Sequence, residues 1–324
     1  MKKTVSYLLF LSLAVVLLYL SFREVKWSDF WEGLQTANYY WILLSMLFGA
    51  LSFWIRGMRW RLIIRSAGYQ VSKGGAFDAV NIAFLTNFAI PRAGEVARCG
   101  VLTKTAKVPF DTLLGTVVLE RLFDLVCLMV ITIIVITLQW SVFGLFMEQQ
   151  LWNPFIKMLH GNFIMILFAI VAIIILIIIF RKWLKNFFVF KKIYDFAMGI
   201  YNGLKSGYHI KQKMAFICYT MVLWLLFWAT CRCTILAFPA VMHLNSVDAL
   251  FLMVVGGLGW VAPVQGGIGA YHFIVTLALT SVYSINQTQG IIFATISHES
   301  QAVTMILFGL FSLIRIYLNP SHKL

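Results

Sequence analysis

Three stretches of this chain carry polar residues whose types and spacing can do chemistry, and each is flanked by apolar sequence. The first runs Asn87-Phe-Ala-Ile-Pro91-Arg92-Ala-Gly94-Glu95-Val-Ala-Arg98. Pro91 removes a helix donor and Gly94 permits a turn, so the apolar run before them ends here. Arg92 and Arg98 are suited to a phosphate, because a guanidinium matches its oxygens two at a time. The alternative is an ordinary basic loop. The second stretch is Glu120-Arg121-Leu-Phe-Asp124, inside an apolar run. Glu120 and Asp124 are one helical turn apart, and Arg121 and Asp124 are three residues apart, so they can pair locally. This is either a structural ion cluster or a site that handles a headgroup or a proton.

The third stretch, Gly256 to His272, contains Pro263, Gln265, Gly266, Gly267, Gly269 and Tyr271. Its glycines and proline break a helix between two apolar runs. It is either a binding element built on a discontinuous helix or a plain hinge. No βαβ pattern surrounds it, so a dinucleotide fingerprint is a poor reading. His298 and Glu299 complete the polar inventory, with a capping or inter-helix bond as their simpler role.

These residues must be positioned by helices in lipid. The 324 residues are 61% hydrophobic and 12% charged, with mean hydropathy +0.88. A soluble domain carries about 25% charge, and no soluble fold could hide this much apolar side chain. Long apolar runs recur to the C-terminus, which excludes a signal peptide followed by a secreted domain. The expectation is an all-α, polytopic integral membrane helix bundle spanning 1–324 as one transmembrane domain. Apolar runs at 4–22, 39–55, 113–138, 162–180, 214–238 and 290–314 are long enough to span. Runs 76–90, 248–262 and 266–283 are short and glycine-interrupted.

The net charge of +14 does not indicate nucleic acid, because the basic residues cluster between apolar runs. Arg56, Arg59, Arg61, Arg65 and Lys73 follow the second run, and eight lysines and arginines fill 181–213. By the positive-inside rule, 56–74, 92–110 and 181–213 face the cytoplasm, with both termini inside and the chain in the inner (plasma) membrane. A re-entrant 76–90 keeps this assignment consistent. The pair 248–262 and 266–283 is either two short spans or a second re-entrant hairpin. The total is about eight membrane segments with one or two re-entrant helices. Segment 181–213 reads as an amphipathic helix on the inner face, with Gly199, Gly203 and Gly207 as a small-residue row.

Cys99, Cys127, Cys218, Cys231 and Cys233 show no ligand spacing and read as small hydrophobes. No P-loop, HExxH, GxSxG or paired-cysteine metal motif is present, so no catalytic residue, cofactor or metal is expected from motifs.

Four motifs in order carry a resemblance: Arg56-Gly-Met-Arg59-Trp60; Asn87 to Arg98 with its P-R-x-G-E core; Glu120-Arg121-x-x-Asp124; and Pro263-x-x-Gly266-Gly267-x-Gly269. Together they resemble the lysylphosphatidylglycerol synthase transmembrane-region family, also called flippase-like, and the membrane half of the multiple peptide resistance factor. The resemblance implies an inner-membrane bundle with re-entrant helices that moves or presents charged or polyprenyl-linked lipid. Fused relatives carry a soluble aminoacyl transferase domain, for which 324 residues leave no room, so lysyl transfer from transfer RNA is not expected. His272 stands where the family pattern often has an acidic residue. The resulting expectation is a lipid flippase or lipid-transport protein. Its phosphate or headgroup site is drawn from Arg92, Glu95, Arg98, Glu120, Arg121, Asp124, Pro263, Gly266, Gly267, Gly269 and His272. Its partners are anionic or polyprenyl-linked membrane lipids, with a separate lipid-modifying enzyme possible and nucleic acid excluded. The competing expectations are a membrane glycosyltransferase or lipid-modifying transferase using Glu95 or Asp124 as base, and a non-catalytic partner subunit.

Overall fold

A computed structural model describes residues 12–140 and 210–318, apart from 13, 24, 211 and 263, together with 144, 148, 152, 153 and 156. The apolar run 162–180, the glycine row at 199–207, nearly all of the amphipathic segment 181–213, and Pro263 lie outside the described residues. Among those described the chain is helical, with no strand. In order, the helices are α1 (14–22), α2 (Trp27–Gln35), α3 (Tyr39–Ser66), α4 (Lys73–Ala89), α5 (Gly94–Ala106), α6 (Phe110–Leu138), α7 (Lys213–Ala237), α8 (Ser246–Val261), α9 (Ala270–Tyr283) and α10 (Gln287–Leu318).

By length and composition, α3, α6, α7, α10 and the segment Gln265–Tyr283 can each cross a membrane. The 28 residues of α3 run about 42 Å at 1.5 Å per residue, more than a hydrocarbon core of about 30 Å. Large apolar side chains lie exposed along these helices: Leu125, Val126, Met129 and Ile133 on α6, Leu43 and Leu47 on α3, Leu307 and Leu310 on α10. In water such a belt would drive aggregation; in a bilayer it is the lipid-facing surface.

The ends of the helices define two faces. At one face Asn38 N–H donates to the Ala237 carbonyl (2.8 Å), joining the start of α3 to the end of α7. Nearby, Asp248 gathers three elements. It closes a capping box with Asn245 at the start of α8 and accepts from Gln139 beyond α6 (2.5 Å) and Tyr283 at the end of α9 (2.9 Å). The opposite face collects Arg61 and Arg65 of α3, Lys73 of α4, Lys104 of α5, Lys213 of α7 and Arg315 of α10. There Arg315 donates to Asp78 (2.5 and 2.9 Å), fixing the start of α4 to the end of α10.

Between these faces lie two helical hairpins that point at each other. The α4–α5 hairpin starts and ends at the basic face and turns at 90–93. The α8–α9 hairpin starts and ends at the other face and breaks at 262–269. Their tips meet: Phe88 lies against Gly266, and Arg92 Nη2 donates to the Val261 carbonyl at 2.6 Å. Helix α10 runs past both. His298, in its middle, touches Gly266 of one tip; Gly309 packs on Leu85 of the other hairpin. The break in α8–α9 therefore sits halfway through the bundle rather than at its far face, which favours the hairpin over two short spans.

Close approach builds both tips. A Cβ on Gly94 would stand 2.2 Å from the Ala83 carbonyl oxygen, and one on Gly259 2.6 Å from the Tyr271 Cα. Gly94 N–H is also held by the Asn87 side chain at 2.8 Å. Gly94→Ala should therefore pry α5 from α4 at a cost of about 1–3 kcal/mol. Gly100→Ala, where a Cβ meets nothing within 4 Å, should cost nothing; thermal unfolding in detergent compares the two.

Candidate functional site: a buried arginine–carboxylate cluster

The charged residues of the first two motifs converge beside the α4–α5 hairpin. Glu120, one third of the way along α6, is fully buried. Its Oε2 accepts from Arg98 Nη1 at 2.7 Å, and its Oε1 from Arg59 Nη2 at 3.1 Å. Arg59 Nη2 also donates to Asp124 Oδ1 at 2.6 Å. Arg98 Nη2 lies 2.7 Å from Glu95 Oε2, an ion pair without hydrogen-bond alignment. Arg121 pairs with Glu95 and, at 3.4 Å, with Asp124.

Two of the central arginines are additions to the sequence reading, which placed Arg56 and Arg59 in a basic loop after a span ending at 55. The helix instead continues to Ser66. Three-residue spacing puts Arg56 and Arg59 on one face, against the one-turn pair Glu120 and Asp124. The signal was present: Trp60, Leu62, Ile63 and Ile64 continue the apolar run past the arginines, and all four are buried. The expected local pair of Arg121 with Asp124 is present at 3.4 Å, but Arg121 does not reach Glu120. Adjacent helix positions point about 100° apart, so Arg121 does not sit between Glu120 and Asp124. It reaches Glu95 and Asp124 and is 44% exposed, while Glu120 is held by Arg59 and Arg98.

Four guanidiniums thus face three carboxylates. Arg56 is the loosest member, 3.7 Å from Glu120 and 3.5 Å from Asp124. Among the described residues, buried donors remain unused: Nε and Nη1 of Arg59, and Nε of Arg98. Aromatic faces line the cations. Arg98 lies 4.5 Å over Trp60, which itself donates to Thr116 at 3.0 Å; Arg59 and Arg56 lie about 6 Å from Phe216 and Phe227. Ring faces attract cations without consuming their N–H groups. The neighbouring Cys99 is fully buried, in keeping with an inert small hydrophobe.

The remaining expected site residues lie elsewhere. The sequence suits Arg92, with Arg98, to a phosphate. Helix α5 begins at Gly94, but Arg92 has a left-handed backbone (φ 60) and its guanidinium bridges to Val261 of the other hairpin. Gly266, Gly267 and Gly269 form the break in α8–α9, all at positive φ. At Gly266 a Cβ would strike the Phe88 ring at 2.5 Å, and at Gly269 the Ala14 carbonyl at 2.6 Å. His272, nearly fully buried, packs near His298 rather than near the arginines.

A family model described as "Lysylphosphatidylglycerol synthase TM region" matches residues 6–309, almost the whole chain. This chain belongs to that family. With its apolar helices, membership makes it a multi-pass membrane protein connected with lipid. All four motifs fall inside the match, so the two hairpins and the arginine cluster are features of a member of the family. Among characterised proteins, the chain is 29% identical over 116 residues to glycosyltransferase AglD of Haloferax volcanii. That match covers 36% of this chain and 18% of the archaeal protein. No solved structure matches.

Proposed function

We propose that this chain is a lipid flippase or lipid-transport protein, and that the arginine cluster receives the phosphate of a phospholipid or polyprenyl phosphate. The observation that carries this reading is the imbalance inside the cluster: among the described residues, one positive charge too many, and buried N–H donors with no acceptor. A buried cation without a partner is costly. A phosphate supplies both the negative charge and acceptor oxygens that fit guanidinium forks. The opening is at Arg121, Glu95 and Asp124, the members of the cluster that retain exposure. A headgroup entering there would stand beside the meeting point of the two hairpins. Movement across the bilayer then requires the tips to part, and the Arg92–Val261 bond is a contact that would break. In this reading the basic face is cytoplasmic. Lys104→Cys, in a chain with its native cysteines replaced, should react with an impermeant maleimide from the cytoplasmic side only; ready reaction from outside contradicts the assignment.

Native mass spectrometry of the purified protein tests ligand class. Anionic lipid should remain bound in preference to phosphatidylcholine. Arg92→Lys should keep it, because the site lies in the cluster. Equal retention of zwitterionic and anionic lipid would contradict the proposal.

The AglD similarity favours a second reading, glycosyl transfer to a lipid phosphate. Its base would be Glu95 or Asp124. Both are engaged by arginines, which occupies the oxygens a base would need free. Sugar transfer from a sugar-nucleotide donor to polyprenyl phosphate by the purified chain would establish this reading instead.

A further inference from the structure

His272 of α9 and His298 and Glu299 of α10 meet at the tip of the α8–α9 hairpin, outside the arginine cluster. Glu299 Oε1 is 2.9 Å from His298 Nδ1 and 3.7 Å from His272 Nε2. One ligand atom from each side chain lies within 4.8 Å of the other two. The tautomer of His298 follows from its other nitrogen. Nε2 is 2.8 Å from the Gly266 carbonyl oxygen, which can only accept, so Nε2 carries a hydrogen. A neutral ring then presents the Nδ1 lone pair to a carboxylate, and two acceptors this close need a positive centre between them. His272 is buried, and among the described residues its Nδ1 has no hydrogen-bond partner.

We propose that His272, His298 and Glu299 bind one divalent transition-metal ion of the zinc type, with a fourth coordination position left open. Zinc bonds to nitrogen and oxygen of about 2.0–2.2 Å in tetrahedral geometry hold ligand atoms about 3.3–3.5 Å apart. The two carboxylate separations, 2.9 and 3.7 Å, bracket that value, and the two imidazole nitrogens lie within 4.8 Å of each other, so closing on an ion requires side-chain shifts of about an ångström. The surroundings match a metal site in two further respects. A metal-bound histidine regularly gives its other N–H to a carbonyl or carboxylate, as His298 does to Gly266. Its ring is also fixed in place, stacked on Trp260 at 4.5 Å and flanked by Tyr271 at 5.3 Å. Imidazole and carboxylate without thiolate suit zinc, cobalt or nickel, whereas magnesium and calcium prefer all-oxygen shells. The half-exposed Glu299 provides the route of entry. A carboxylate in the middle of a membrane-length helix is costly when unpaired, and the ion gives it a partner. Two ligands come from the helix that passes both hairpins and one from α9, so the ion would clamp the α8–α9 hairpin to α10.

The test uses the full chain purified in detergent, stripped with chelator, exposed to Zn²⁺ alone, desalted and analysed for metal. One equivalent should remain, and the melting temperature should rise with added zinc. Cobalt should give the visible d–d bands of a four- or five-coordinate site. Glu299→Gln and His272→Gln, checked for unchanged gel-filtration profile and helix content, should each bind at least about tenfold more weakly and lose the cobalt bands. His298→Gln is less informative, because it also breaks the Gly266 contact and can unfold the tip. A wild-type chain that retains no zinc or cobalt, as a proton shared by His298 and Glu299 would give, overturns the proposal. So does equal retention by wild type and both folded variants.

Discussion

Glu120→Gln should destabilise the protein more than any other single change in the arginine cluster. The carboxylate is fully buried and bonded to Arg59 and Arg98, with Arg56 at 3.7 Å. Glutamine keeps the shape but removes the charge, raising the local excess from one positive charge to two. Breaking a buried pair by neutralising one partner costs about 3–5 kcal/mol. The loss should appear as a lowered unfolding midpoint in detergent and reduced accumulation in the membrane. Arg121→Ala is the contrast. Its side chain is 44% exposed, and exposed pairs contribute at most about 1 kcal/mol, so it should accumulate normally. An Arg121→Ala loss as large as that of Glu120→Gln would mean that the charges are organised around Arg121 instead.

The second large effect is on ligand rather than fold. Arg56→Gln should leave stability unchanged or improved, because among the described residues three arginines would then face three carboxylates, and the Arg56 pairs with Glu120 and Asp124 are long, at 3.7 and 3.5 Å. It should nevertheless reduce retention of anionic lipid by about tenfold or more, the loss expected for a hydrogen bond to a charged group. Arg56→Lys keeps the charge without the planar fork and should fall between the two. Lipid retention by native mass spectrometry and unfolding midpoints on the same samples separate ligand from fold. A destabilised Arg56→Gln that keeps its lipid would show that the cluster is structural only.

Much of the fold could be read from sequence because lipid imposes simple rules. Apolar length marked α3, α6, α7 and α10, and Pro91 with Gly94 marked the α4–α5 turn. The glycines at 266, 267 and 269 marked the second break, where positive φ leaves little alternative. Depth was harder to read. Whether 248–283 crosses or turns back depends on its meeting Phe88, Arg92 and His298, contacts separated by many residues in the chain. The helix ends were misjudged for a related reason. Arg56 and Arg59 look like the basic flank of a span until Glu120 and Asp124, some 60 positions away, supply their counter-charges. The His272–His298–Glu299 group shows the same limit. A 26-residue gap between ligands carries no local spacing, so only the packing of α9 on α10 reveals it.

As proposed, this chain conducts phosphate-bearing lipid through the cluster beside its α4–α5 hairpin. Purified protein reconstituted into liposomes carrying fluorescent phosphatidylglycerol in both leaflets tests it most directly. A membrane-impermeant reductant quenches the outer leaflet, and inner-leaflet probe becomes accessible only if lipid crosses. Wild type should quench well beyond the one-half level of protein-free liposomes, and Arg56→Gln, equally folded and reconstituted, should remain near one-half. Wild-type liposomes that stop at one-half with phosphatidylglycerol, and again with a fluorescent polyprenyl phosphate, would contradict the account, as would Arg56→Gln conducting as fast as wild type.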